Sequence, residues 1–370
     1  MNSWLLSILL IAAGAVFFLV LAGFVYLYIV TVWTRYQTRD GRYFCAPLEK
    51  RRQLKRWLMW HRKNLAPLLC FLGQVSNVHL RKATFRFHGV AGPKGSCSPE
   101  TFCRASSYKP ASCDLFVVSQ LRCGTTWLEQ LTYQVLVRGR EDLAAQGKSL
   151  GSVCPWLESI WTIPPELAPK IGGGPAYRVF KTHFPIELCL YSHEARYLYI
   201  TRHPLDCFAS CLDYLRANLG PFRLRLAEAV EWFCNLEWMW WTPWPHHVAG
   251  WWQKAQCSPN VLFITYEQML KDLPGVARKI ADFLATEPLD HDELVSVVHH
   301  SSFRYMREHS EAFEMAPPHL LQDFEGLFVQ GRAGRHQNLP EEVKSAIMEY
   351  CRSTLAEQKV CLGEHYPDLV

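Results

Sequence analysis

Several patterns that would narrow the chemistry at once are missing from this chain. It has no GxxxxGK[ST] phosphate loop, so the lysine and Mg²⁺-binding hydroxyl of a nucleoside triphosphatase are absent. It has no CxxC pair, and its 14 cysteines follow neither zinc-site nor disulfide-framework spacing. A reducing compartment and no metal are therefore expected. There is no N-x-[ST] sequon, no internal repeat and no low-complexity tract. Charge is sparse as well: 20% of the 370 residues are charged, while 13% are aromatic and 14 are Trp. Such a chain can bury a sizeable core and line an apolar pocket.

The charge that is present is unevenly placed. Residues 1–113 hold 16 Lys and Arg against 3 acidic residues, whereas residues 114–370 hold 23 against 31. An acidic catalytic region argues against nucleic acid as a partner. Leu5 to Val32 carries no charged side chain, which exceeds the roughly 20 residues that cross a bilayer. No basic residue precedes it and ten follow between Arg35 and Lys63. The positive-inside rule then places the rest of the chain on the cytoplasmic face, with a Golgi lumen as the alternative. The same basic cluster can lie on anionic lipid. Residues 54–80 read as a membrane-surface helix broken near Pro67, and 89–112 as a connector. The expected division is an anchor (1–33), a basic juxtamembrane region and linker (34–112) and a catalytic domain (113–370). In that domain apolar strands alternate with helical stretches, the pattern of an α/β fold with a central parallel sheet flanked by helices.

Three segments in it carry chemistry. Leu115 to Val118 reads as a buried strand, Ser119 to Thr126 as a polar turn, and Trp127 onward as a helix. Loop N–H groups and a helix N-terminus form an anion cradle, to which Arg122 adds a cation and Thr125 and Thr126 add hydroxyls. Lys181 and His183 lie two apart on extended backbone and so share a face. Arg202 ends a β-rich run before a Pro204 helix start, and Ser210 follows eight residues later; a guanidinium fork and a hydroxyl suit a phosphate.

These segments resemble the sulfotransferase family. Leu121-Arg-Cys-Gly-Thr-Thr-Trp127 is similar to its Pro-Lys-Ser-Gly-Thr-Thr-Trp loop, Lys181-Thr-His-Phe-Pro185 to its Lys-Thr-His-x-Pro segment, and Arg202…Ser210 to its 3′-phosphate segment. Trp244 to Trp252, Val261 to Met269 and Ser301 to Met306 follow in the family's order. The resemblance implies a P-loop-like sulfotransferase fold and 3′-phosphoadenylyl sulfate (PAPS) as donor, with no metal. It implies His183 as general base, with Lys181 and Arg122 at the leaving 5′-phosphate. Cys123, Gly124, Thr125 and Thr126 would cradle that phosphate, and Arg202 and Ser210 would hold the 3′-phosphate. Trp127, Tyr266, Ser301 and Phe303 would frame the adenine. The closing Arg-Lys-Gly segment of the family departs here to Gln330-Gly331-Arg332-Ala-Gly334-Arg335, so Gly331 and Arg332, or Arg335, are expected to stand in. Trp156, Trp161, Phe184 and the tryptophans between 232 and 252 are expected to line a pocket for an acceptor hydroxyl or amine on an apolar or lipid-like molecule. The alternatives are a nucleotide kinase and a membrane-tethered pseudo-sulfotransferase that binds without turnover.

Overall fold

The computed structural model describes residues 3–322 and 334–369. Gly331 and Arg332 lie outside the described residues, as does the Arg335 side chain.

Strands β1 (Thr84–Phe87) and β2 (Val90–Pro93) form an antiparallel hairpin. The main sheet comprises β3 (Asp114–Val118), β4 (Arg178–Thr182), β5 (Arg196–Thr201) and β6 (Val261–Thr265), all parallel, in the order β4-β3-β5-β6. Every residue of β3 is buried, as a central parallel strand covered on both faces requires. Alternation sorts its side chains: Phe116 and Val118 join one apolar cluster, Leu115 and Val117 the other. Helices Pro204–Leu219, Leu226–Phe233, Trp244–Cys257 and Glu341–Glu357 pack on the first face, and Thr125–Leu136, Leu273–Phe283 and His291–His300 on the second. The chain runs from β3 to β4 on one side and then crosses to β5 on the other. The crevice at the C-terminal ends of β3 and β5 is therefore the topological switch point, where open α/β sheets take ligands.

The N-terminal part departs from the sequence reading in two places. Helix Leu48–Val75 continues through Pro67 instead of breaking there. Its packing along helix Ser3–Thr38, where the Trp33 and Trp57 ring centroids lie 4.2 Å apart, outweighs one lost backbone hydrogen bond. The stretch read as a connector contains β2 and helix Pro99–Ser106, which a reciprocal Ser98–Thr101 cap starts and whose Phe102 is fully buried. An eight-residue helix is too short for its periodicity to stand out among Gly, Pro and Ser.

The uneven charge also has a structural use. Arg52 pairs with Glu311 at 2.8 Å, Lys55 with Glu314 at 3.7 Å, and the buried Arg51 lies 3.9 Å from Glu314. Part of the basic cluster thus faces acidic residues of the catalytic region and not lipid. Helix Ser3–Thr38 has 36 residues, and its Ser7–Thr38 stretch is long and apolar enough to cross a membrane.

Candidate active site

The loop between β3 and helix Thr125–Leu136 turns on two left-handed residues, Arg122 (φ 68°) and Gly124 (φ 106°). Gly124 is required twice over: its φ suits glycine, and a Cβ there would sit 2.7 Å from the Tyr266 ring. The thiol of Cys123 turns into the core, 3.7 Å from that of Cys207, so only its backbone faces the cradle. Thr125 Oγ1 meets Ser119 Oγ at 2.5 Å. Thr126 is half-buried and opens onto a small cavity shared with Glu129, Lys181 and Trp156.

Ser119 links this loop to the histidine. Its carbonyl lies 2.8 Å from His183 Nδ1, so Nδ1 carries the proton and the lone pair is on Nε2. The His183 backbone is held from both sides. Its N–H donates to Glu158 Oε1 at 2.7 Å, and its carbonyl accepts from His247 Nε2 at 3.0 Å. Tyr199 OH meets the other nitrogen of His247 at 2.8 Å, which fixes that ring as well. Burial, and then the nearby Lys181 cation, hold the His183 imidazole well below the usual histidine value. Trp156 and Trp241 wall it, with ring centroids 5.3 and 4.8 Å away. Trp241 and Thr242 both have positive φ (57° and 71°), a local strain of the kind that gathers at functional sites.

Lys181 is buried, with Nζ 4.6 Å from the centre of the Trp156 ring. Burial pushes its proton affinity down, and the Glu129 carboxylate opposes that shift. Burial in turn drives Glu129 up, against the pull of Lys181. Arg122 lies against Ser210 (Nε to Oγ 3.2 Å), Met315 and the Tyr214 ring. Its charge still reaches Lys181 and His183.

Across the crevice, Arg202 is 3% exposed and its guanidinium lies 4.3 Å from the centre of the Tyr266 ring. Asp206, 3.6 Å from Arg202, accepts from the backbone N–H groups of Gly334 (2.8 Å) and His336 (3.1 Å) and from the His336 ring. Burial raises the Asp206 carboxyl, but these bonds and Arg202 leave it below the ordinary value. Trp127 packs edge-on to Tyr266 at 5.2 Å and donates to the Ser301 carbonyl at 2.7 Å. Phe303 is half-buried at the start of helix Phe303–Glu308 with its ring beside Arg307.

The sequence-derived residues within the described part thus gather along the C-terminal edge of β3, β4, β5 and β6, with Phe303 beside Arg307 on its own helix. Of the tryptophans expected to line a pocket, Trp156 and Trp241 flank His183, whereas Trp232, Trp244 and Trp251 are fully buried core residues. Phe184 is buried against Phe102. Their abundance was the only sequence signal, and abundance does not separate lining from core. The residues that sequence reasoning missed are Ser119, Glu129, Glu158 and His247, which reach the site from other elements. Ser119 and His247 lay inside segments already singled out, but were given no role there.

Comparison with known proteins converges on one family. Residues 112–359 match the family model described as a sulfotransferase domain. Sulfotransferase 2B1 of Mus musculus is 29% identical over 268 residues, covering 69% of this chain and 75% of that protein. The 3-alpha-hydroxysteroid sulfotransferase of Cavia porcellus is 28% identical over 258 residues, covering 68% and 87%. Among solved structures, retinol dehydratase in complex with androsterone and the inactive cofactor PAP aligns with a TM-score of 0.59 at 21% identity, covering 77% of this chain and 95% of that one. Mouse sulfotransferase SULT7A1 complexed with PAP aligns with a TM-score of 0.58 at 22% identity, covering 76% and 98%.

Proposed function

The chain belongs to the sulfotransferase family, and from that premise we propose that it moves a sulfuryl group from 3′-phosphoadenylyl sulfate to a hydroxyl of an apolar acceptor. The observation that carries this reading is His183: buried, neutral, with its lone pair on Nε2, beside Lys181 and the cradle loop. A buried cation and a neutral base side by side suit attack by an alcohol on a group whose leaving oxygen is anionic.

Two features of the chain fit the donor. Gly124 packs against Tyr266 and Ile200 with no room for a Cβ, which holds the loop backbone beside the ring proposed to frame the adenine. Ser301 Oγ is buried without a hydrogen-bond partner among the described residues, which leaves it available to a nucleotide. In this reading Thr125, Thr126 and the backbone of Cys123 and Gly124 hold the 5′-phosphate with Lys181. Arg202 and Ser210 hold the 3′-phosphate, with Gly331 and Arg332 assigned to the same group. Trp127, Tyr266, Ser301 and Phe303 frame the adenine. Arg122, hydrogen-bonded to Ser210, is proposed to bridge the two phosphate positions. When bound, the donor supplies a sulfuryl group: the acceptor oxygen bonds to sulfur, the sulfur bond to the 5′-phosphate oxygen breaks, and adenosine 3′,5′-bisphosphate leaves. His183 Nε2 takes the acceptor's proton. Lys181 stabilises charge on the departing phosphate, and Arg122 supplies a second, permanent charge without donating a proton near neutrality. Trp156 and Trp241 keep bulk water from the imidazole.

We further propose that residues 1–33, within helix Ser3–Thr38, anchor the chain, with 34–112 as basic juxtamembrane region and linker and 113–370 as catalytic domain. The catalytic domain is placed on the cytoplasmic face, a Golgi lumen being the alternative. The acceptor class draws support from the apolar surroundings of His183. The test is transfer of ³⁵S-labelled sulfuryl from PAPS to a panel of alcohols by the full chain in phosphatidylcholine nanodiscs. His183→Ala is expected to lose about 10²–10⁴-fold in kcat. Transfer by the variant at the wild-type rate would sink the assignment.

A further inference from the structure

A cavity of about 460 Å³ lies between helix Ser3–Thr38 and the catalytic region, within the ~300–1,000 Å³ range of small-molecule sites. One wall is the apolar helix itself. Leu27, Thr31, Thr34 and Thr38 line it, and their spacing of four, three and four puts them on one helix face. The three threonine hydroxyls are spent on the helix's own carbonyls, at 2.8 Å (Leu27), 2.7 Å (Val30) and 3.0 Å (Thr34). These side chains therefore ask for no polar partner from an occupant. Leu215, Leu219, Phe222 and Trp240 form the facing wall.

Two lining residues pack against groups of the transfer centre. Tyr214 lies under the Arg122 guanidinium at 5.1 Å, and Trp161 packs at 6.0 Å on Trp156, which walls His183. In the anchored arrangement proposed above, the other end faces the membrane. A 36-residue helix is about 54 Å long, and roughly 20 residues span the hydrocarbon core. The Leu27–Thr38 end therefore sits at the bilayer interface. Leu69 of helix Leu48–Val75 lines the cavity there, and Phe71 and Val75 beyond it on that helix are exposed.

We infer that this cavity is the acceptor site, that its occupant is a membrane-dissolved alcohol with a large apolar body, and that it enters sideways from the bilayer along the Leu27–Thr38 face. The membrane helix is then part of the substrate site as well as a tether. This inference rests on the sulfotransferase reading.

The experiment uses the full chain in phosphatidylcholine nanodiscs with a diazirine-bearing long-chain primary alcohol, read by adduct mapping and by sulfuryl transfer. Thr31 is an exposed helix position that faces the cavity, so Thr31→Trp blocks it without disturbing the core. Val32→Trp, on the 47% exposed neighbour, is the control. Adducts are expected on 27–38 and 214–222 and are expected to be lost in Thr31→Trp but not in Val32→Trp. Thr31→Trp should also raise KM for the long-chain alcohol by about tenfold or more, with the wild-type KM kept in Val32→Trp. Adducts confined to residues 8–25, or a wild-type KM in Thr31→Trp, would overturn the inference while leaving transfer intact. Cavity adducts without transfer to any alcohol would overturn both the acceptor role and the sulfotransferase reading, leaving a lipid site alone.

Discussion

His183 is held neutral by its surroundings. Burial and the Lys181 charge lower its proton affinity from the ordinary 6.5, and the Ser119 carbonyl selects the tautomer with a free Nε2. In the proposed role of base His183 must be unprotonated to work, so activity is expected to be lost as pH falls through its pKa. Because that pKa is depressed, kcat/KM is expected to stay level from pH 8 to below 6.5, with the acid limb further down. A pH–rate profile with its acid limb at or above 6.5 would show the imidazole to be unperturbed. Glu129 sets the other limb. Its carboxylate raises the proton affinity of Lys181 against burial, so Glu129→Gln should let the lysine lose its charge at lower pH. The alkaline limb of kcat/KM is then expected to move toward neutrality, and an unmoved limb would separate the two residues functionally. His183, Lys181 and Arg202 were legible in the sequence because each sits in a short strand-end segment whose spacing survives in one dimension. Glu129 and Glu158 were not. A glutamate on a helix and another in an irregular stretch look solvated until folding buries both beside β4.

The elements earn their places through their ends. Strands β3, β4 and β5 are buried runs that read plainly from short, continuous apolar or β-rich stretches, and their C-terminal edges bring together residues from 119 to 210. The turn after β3 is the most constrained of these ends. Gly124→Ala would place a methyl 2.7 Å from the Tyr266 ring at φ 106°, combining a steric clash with a backbone penalty of about 1–3 kcal/mol. A lower Tm and loss of binding to adenosine 3′,5′-bisphosphate are both expected; wild-type binding would mean that Tyr266 yields freely. Helix Leu48–Val75 and helix Pro99–Ser106 were misread for opposite reasons. Pro67 was weighed as a breaker although tertiary packing against Trp33 and its neighbours holds the helix. Residues 99–106 were dismissed on composition although the cap at Ser98 and one buried phenylalanine suffice.

At the scale of the whole molecule, the basic N-terminal third and the acidic remainder are complementary halves of one contact. Arg51 is its buried member, 2% exposed, donating to the Glu311 carbonyl at 2.5 Å and lying near Glu314. Removing one side of such a contact costs more than the contact contributes, because the other side stays buried; Arg51→Ala is expected to destabilise the chain by about 3–5 kcal/mol. Denaturant melts of the detergent-solubilised protein check this, and a change under 1 kcal/mol would make the contact incidental. The charge imbalance was visible in the sequence, but its partner was not. A basic segment after an apolar helix suggests lipid, and only the fold shows Glu311 and Glu314 facing it.

The edge of β3, β4 and β5 is proposed as a nucleotide-bisphosphate site with His183 outside the binding contacts. Titration calorimetry of the full chain with adenosine 3′,5′-bisphosphate, beside His183→Ala and Arg202→Ala, tests it most directly. Wild type and His183→Ala are expected to bind alike. Arg202→Ala should lose about 1.5–3 kcal/mol, roughly tenfold or more in Kd. No binding by the folded wild-type chain, or full binding by Arg202→Ala, would contradict the account.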